Sequence, residues 1–202
     1  MKRKFILTFT LLFSLLISFA QVNENNSGWF SLGVRNTLNT FSHDGTGLGV
    51  GGQFRIQLSN QVNTDWFADY ITIQESEHIK SEYAHIGWSV LFYPLKQKTL
   101  LQPYILAGHC FDYNKKSSIQ NPSMYKDHWG SAVQAGFGTH INLTDRFDVS
   151  LMAQYMIHLT SEIEAHIHNE EVYFHEHKHS ALEGHLLLTA SINYKLFKLW
   201  KK

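Results

Sequence analysis

Residues 186–196 read Leu-Leu-Leu-Thr-Ala-Ser-Ile-Asn-Tyr-Lys-Leu, and their alternation decides the fold. Leu186, Leu188, Ala190, Ile192, Tyr194 and Leu196 fall on one side of an extended chain, with Thr189, Ser191, Asn193 and Lys195 on the other, joined by Leu187. Side chains in a strand point to opposite faces with period two, so this segment is a strand with one apolar and one polar face. The preceding apolar stretch repeats the pattern. Phe147, Val149, Leu151, Ala153, Tyr155, Ile157 and Leu159 oppose Asp148, Ser150, Gln154 and His158.

Working outward, Leu48, Val50, Phe54, Ile56 and Leu58 oppose Gly49, Gly51, Gln53, Arg55 and Gln57, and Ala84, Ile86, Trp88, Val90 and Phe92 oppose His85, Gly87 and Ser89. Four further segments, Trp29 to Thr40, Asp65 to Gln74, Leu101 to Tyr113 and Trp129 to Ile141, bring the expected strands to eight. Short turns at Ser59–Thr64, Pro94–Thr99 and Asn142–Arg146 alternate with longer polar loops at Phe41–Thr46, Glu75–Glu82, Asn114–His128 and Ser161–Ser180. Strands of this length, tilted, cross a bilayer, and short turns on one side with long loops on the other characterise membrane barrels. The fold class expected is therefore all-β: an eight-stranded antiparallel up-and-down transmembrane barrel. A soluble barrel would carry the same alternation with its polar face outward. Long strands, polar sides rich in Gly, Ser, Thr and Gln, and aromatics near strand ends (Trp29, Trp66, Tyr70, Tyr93, Tyr104, Trp129, Tyr155) favour the membrane.

Lys2-Arg3-Lys4 followed by the apolar run Phe5 to Phe19 and the small residues around Ala20 reads as a cleaved signal peptide over residues 1–20, leaving 21–202 as the barrel. The 202-residue chain has equal counts of acidic and basic residues, 17 each, so no basic face for nucleic acid is expected. Its one cysteine, Cys110, excludes an internal disulfide.

Leu101-Gln102-Pro103-Tyr104-Ile105-Leu106-Ala107-Gly108 resembles a strand of the small OmpA-like or porin-like outer-membrane barrels of Bacteroidetes-type bacteria. Gln134 to Gly138, followed by Leu143 to Phe147, resembles their next hairpin. The resemblance implies a bacterial outer-membrane location, with membrane lipid and the barrel-insertion machinery as partners. Such barrels often end on an aromatic residue; here Phe197 is followed by Lys198-Leu199-Trp200-Lys201-Lys202. Eight strands enclose an interior just wide enough for side chains, so Gln53, Arg55, Gln57, Gln154 and Lys195 are expected to fill it without a wide pore.

Histidine is the compositional outlier, with 13 residues. Parity puts His158, Glu162, Glu164, His166 and His168 on one face of an ascending strand, and His175, His177, His179, Glu183 and His185 on one face of the returning strand, with Ile163, Ala165, Ile167, Phe174 and Leu182 opposite. One register pairs His168 with His175, His166 with His177, Glu164 with His179 and His158 with His185, turning at Asn169 to Phe174. Both His faces then continue the lumen-directed sides of the barrel strands. Imidazole and carboxylate donors of this kind suit zinc, copper or nickel, so the expected metal site is His158, Glu164, His166, His168, His175, His177, His179 and His185. No other cofactor is required. His85 is placed towards the upper lumen. The function expected is a non-enzymatic barrel presenting a His-rich loop to transition metal or a surface partner. The alternatives are a lipid-modifying barrel enzyme, for which adjacent Ser42, His43 and Asp44 are poorly spaced, and a purely structural or adhesive barrel.

Overall fold

A computed structural model describes residues 27–42, 45–95, 99–160, 162–168, 171–177 and 184–200. The expected signal peptide lies outside them. Among the described residues there are ten strands: β1 (Trp29–Ser42), β2 (Gly45–Gln57), β3 (Val62–Gln74), β4 (Ile79–Phe92), β5 (Leu101–Ser118), β6 (Tyr125–Asn142), β7 (Phe147–His158), β8 (Glu162–His168), β9 (Glu171–His177) and β10 (Gly184–Lys198). Eight form a closed barrel in the order β1-β10-β7-β6-β5-β4-β3-β2, while β8 and β9 form a separate two-stranded sheet. Every barrel pair is antiparallel, and β1 closes the cylinder against β10 from Trp29↔Lys198 to Thr40↔Leu186. Closure leaves no sheet edge with unpaired backbone groups, which is what allows strands to sit in lipid.

The polarity is inverted relative to a water-soluble barrel. Arg35 and Arg55 are buried at 2% and 3% exposure, whereas Val34 and Leu48 on the outside are 66% and 71% exposed. Leu32, Val50, Ile86, Ile105, Phe137, Leu151 and Ile192 extend that apolar exterior. Near the end that carries the chain termini, an aromatic ladder runs round the outside. Phe197, Phe30, Phe54, Trp66 and Trp88 follow one another with ring centroids 5.3, 5.8, 5.8 and 6.3 Å apart. Aromatic girdles of this kind flank the lipid-facing band of membrane barrels.

Two expectations about the wall need correction. The loop expected at Asn114–His128 is mostly strand. β5 runs to Ser118 and β6 begins at Tyr125, with pairing continuous to Ser117↔Tyr125, and β4 likewise begins at Ile79 inside the expected Glu75–Glu82 loop. The polar residues there carry cross-strand partners, as in Lys115 Nζ 3.7 Å from Glu82 and Tyr70 Oη donating to Glu82 at 2.8 Å. Tyr93 and Tyr104 do not join the exterior aromatics. They stand in the lumen at 1% and 3% exposure, where their parity directs them.

The lumen is filled in layers. Polar tiers alternate with apolar plugs, one of Leu91, Tyr93, Tyr104 and Leu106, the other of Phe67, Ile71, Ile73, Tyr83, Cys110, Ala132, Met156 and Leu187. Glycine makes room for the second plug: a Cβ at Gly49 or Gly47 would run into Ile71 or Ile73 and the β3 backbone. At the terminus-bearing end, the cavity beside Arg55 and His140 has a volume of only about 20 Å³, near that of a single water.

Candidate functional site

Among the described residues, polar clusters stack along the lumen. Near the terminus-bearing end, β2 presents Arg55, whose Nη2 donates to both Asp148 carboxylate oxygens of β7 at 2.7 and 2.6 Å. Arg55 Nη1 lies 3.1 Å from the His140 ring nitrogens, and Tyr93 Oη is 2.9 Å from His140 Nε2. Asn193 bonds Asp148 at 3.2 Å and accepts from Gln53 at 2.6 Å, so the tier is continuous across β2, β6, β7 and β10. Above it, Arg35 Nε stands 3.0 Å from Asp69 and Nη1 3.9 Å from Asp65, with the guanidinium 4.5 Å from the centre of the Phe67 ring.

The third cluster sits at the opposite end and contains no arginine. His158 Nδ1 lies 2.6 Å from Asp112 Oδ2, His85 Nε2 lies 3.1 Å from Asp112 Oδ1, and His158 Nε2 lies 3.1 Å from His185 Nδ1. The His85 and His185 rings are 5.9 Å apart and nearly parallel, and Tyr83 meets His185 edge-on at 6.4 Å. β4 and β10 are four strands apart in either direction round the barrel, so this chain of side chains crosses the full width of the lumen. His85, Asp112 and His185 are buried, His85 at 0%, and His158 is partly buried. Cys110 and Met156 lie next to it, Sγ to Sδ 3.8 Å, Met156 being the cross-strand partner of His185.

Of the eight residues expected to bind metal, the structure brings His158 and His185 into contact inside the lumen, together with His85. It does not make them direct cross-strand partners. His185 pairs with Met156, two residues from the expected position. Glu164, His166, His168, His175 and His177 belong to the β8–β9 hairpin, and His179 lies outside the described residues.

The hairpin's register differs from the expected one. Glu162 faces His177, Glu164 faces His175, His166 faces Tyr173 and His168 faces Glu171, so each partner has moved by four residues (from His177 to Tyr173 opposite His166). An even shift keeps every residue on its face, so parity survives while pairing does not. Burial decides the difference. Val172, expected in the turn, is 4% exposed on the same face as Ile163 at 1%. The hairpin also does not continue the barrel wall: it is its own sheet, with β8 against β5 and β6. His175, on the face opposite Ile163 and Val172, is exposed. Asp112, the carboxylate that joins the lumenal histidines, was missed in the sequence. Counting from Gln102 along β5 puts it on the lumen side, but Leu106 and Cys110 on that same side hide the polar signal.

An apolar exterior wrapped round a packed polar and apolar lumen defines the class: a small eight-stranded transmembrane β-barrel of the outer-membrane type. The chain is similar in fold to the crystal structure of Neisserial surface protein A, with a TM-score of 0.60 and 11% identity over 84% of this chain and 98% of that one. It is also similar to a major outer membrane protein from Thermus thermophilus (0.58, 8% identity, 83% of this chain and 98% of that one). The N-terminal β-barrel domain of Pseudomonas aeruginosa OprF is a third (0.53, 12% identity, 86% of this chain and 100% of that one). No protein family and no curated protein matches the sequence.

Proposed function

We propose that this chain is a non-enzymatic barrel of the bacterial outer membrane that captures first-row transition metal ions at its outer end through the β8–β9 hairpin. The location is supported by the inverted polarity, the aromatic ladder and the outer-membrane barrels it resembles in fold. The Bacteroidetes-type, OmpA-like reading rests on the residues 101–108 and 134–147 alone. Lipid and the insertion machinery are the partners such a location implies.

One observation carries the metal reading: the hairpin register. Glu162, Glu164, His166 and His168 occupy one face of β8, opposite His177, His175, Tyr173 and Glu171 of β9, while Ile163 and Val172 are buried on the other. A sheet held down by its apolar face offers the other to solvent, and cross-strand imidazole and carboxylate pairs are close enough to share an ion. The packed lumen argues against conduction of hydrophilic solutes, which leaves binding at the surface as the work of the outer end.

Calorimetry on the refolded barrel in detergent, with zinc, copper and nickel, tests this. Replacing His166, His168, His175, His177 and His179 together is expected to abolish a saturable, selective binding isotherm. Weak and non-selective heats in both proteins would overturn the reading and leave a structural or adhesive barrel.

A further inference from the structure

We infer that the terminus-bearing end of the barrel holds a site for the phosphodiester headgroup of an anionic phospholipid, framed by Arg146, Lys195 and Lys198 round the Trp29 ring. The inference rests on the membrane reading of the barrel and not on the metal reading of the hairpin. Trp29 and Lys198 are direct cross-strand partners, and the next pair along β1 and β10 is Phe30 with Phe197. Phe30 and Phe197 stack at 5.3 Å in the exterior aromatic ladder. Since a strand advances about 3.3 Å per residue, the Trp29–Lys198 pair stands one step beyond lipid-facing rings, at the depth of the headgroups. Arg146, in the turn between β6 and β7, reaches the same indole. Its guanidinium carbon is 5.9 Å from the Trp29 ring centre, and Lys198 Nζ is 5.4 Å from it. The backbone N–H of Lys195 donates to the Arg146 carbonyl at 2.8 Å, which ties that turn to β10. Lys195 also lines the small cavity at the lumen mouth, together with Trp29 and Arg55.

Like charges gathered at one rim repel, and the face of an indole offsets only part of that cost. At the opposite end of the wall the basic side chains meet carboxylates instead. Lys80 Nζ stands 2.6 Å and Lys115 Nζ 3.7 Å from Glu82, and Lys116 Nζ 3.0 Å from Glu75. Among the described residues Arg146 meets the ring and no carboxylate. Its neighbour Asp145 is exposed, and Asp148, the next acid along, is held by Arg55 at 2.6 Å. Arg146 and Lys198 are both exposed, so an anion reaches them from outside the wall. A phosphodiester brings a negative charge with acceptor oxygens for a guanidinium and for ammonium groups at once. Basic clusters beside a membrane surface recruit anionic lipid in this way, each cation adding to the attraction. The acyl chains then lie along Phe197, Phe30 and Phe54, the ladder that begins one residue away. A free anion gains the charge contact without the apolar one, so the placement favours a lipid. With the hairpin outward, this end meets the inner leaflet.

The test uses the full barrel refolded into phosphatidylcholine vesicles, with trace phosphatidylglycerol or phosphatidylcholine spin-labelled near the end of an acyl chain. Electron spin resonance separates lipid held against the barrel from lipid free in the bilayer. Held phosphatidylglycerol is expected in about twofold excess over phosphatidylcholine, a site with selectivity on the order of tenfold averaged over the lipids that ring the barrel. R146Q/K198Q is expected to bring the ratio to one, and R146K/K198R, which keeps both charges, to retain the excess. The held phosphatidylcholine component reports that each variant is inserted. Inorganic phosphate at matched ionic strength is expected to leave the excess in place. A ratio of one in the unaltered barrel, an excess untouched by R146Q/K198Q, or its removal by inorganic phosphate would each overturn the lipid site. Absence of a held component for both lipids would overturn the membrane reading, and the site with it.

Discussion

The two ends of the lumen solve the same problem with different chemistry. At the terminus-bearing end, Arg55 meets Asp148 with two short bonds, and His140, Tyr93 and Asn193 surround the pair. Charge is matched one to one, and a planar guanidinium suits the two oxygens of a carboxylate. At the other end a single carboxylate, Asp112, serves two imidazoles directly and a third through His158. No guanidinium is there among the described residues, and three ring nitrogens, both of His85 and Nε2 of His185, make no hydrogen bond. A closed pair supports the wall; the imidazole set leaves ring nitrogens without a hydrogen bond. The difference separates a charge-matched polar core from one whose hydrogen bonding is incomplete, though both are buried to a similar degree.

The largest expected effect tests the closed end. Asp148→Ala leaves the Arg55 guanidinium buried without its carboxylate, and should destabilise the barrel by about 3–5 kcal/mol in urea unfolding from lipid vesicles. A loss under about 1 kcal/mol would mean that the guanidinium finds Asp65 or water instead, and the contrast between the ends would collapse. His158→Leu at the open end should cost less, about 1–3 kcal/mol in the same measurement, because Asp112 stays 3.1 Å from His85 and a carboxylate that loses its partner can take up a proton, whereas a guanidinium keeps its charge. A cost equal to that of Asp148→Ala would make the histidine chain a structural tie as rigid as the arginine pair. The smallest effect belongs to the hairpin. Replacing His166, His168, His175 and His177 together should change stability by no more than about 0.5 kcal/mol, since the buried Ile163 and Val172 stay in place.

The same contrast explains what could be read beforehand. β2, β4, β7 and β10 were legible because each carries a clean two-residue alternation, and the structure keeps their inward and outward faces as read. β3 and β5 were less so. Phe67, Ile71 and Ile73 on β3, and Leu106 and Cys110 on β5, face inward although they are apolar. A narrow lumen needs volume as well as hydrogen bonds, and apolar side chains on both faces erase the alternation. The His158–His185 contact was legible as proximity, since both lie on inward faces at the outer ends of paired strands. The link through Asp112 to His85 was not: His85 and Asp112 are direct partners on neighbouring strands, but His158 on β7 reaches Asp112 on β5 across β6, between strands that no local pattern relates.

By itself, then, the sequence determined the number of barrel strands, the faces of the clearest strands, and the concentration of imidazole at one end of the molecule. These follow from local periodicity, which the backbone enforces wherever a strand forms. Tertiary structure alone decided the hairpin register, where an even shift leaves parity unchanged and only the burial of Val172 discriminates. It also decided which charges meet in the lumen. Closure of the barrel brings β4 opposite β10 and β5 within reach of β7, and the partners of a buried charge are set by that geometry.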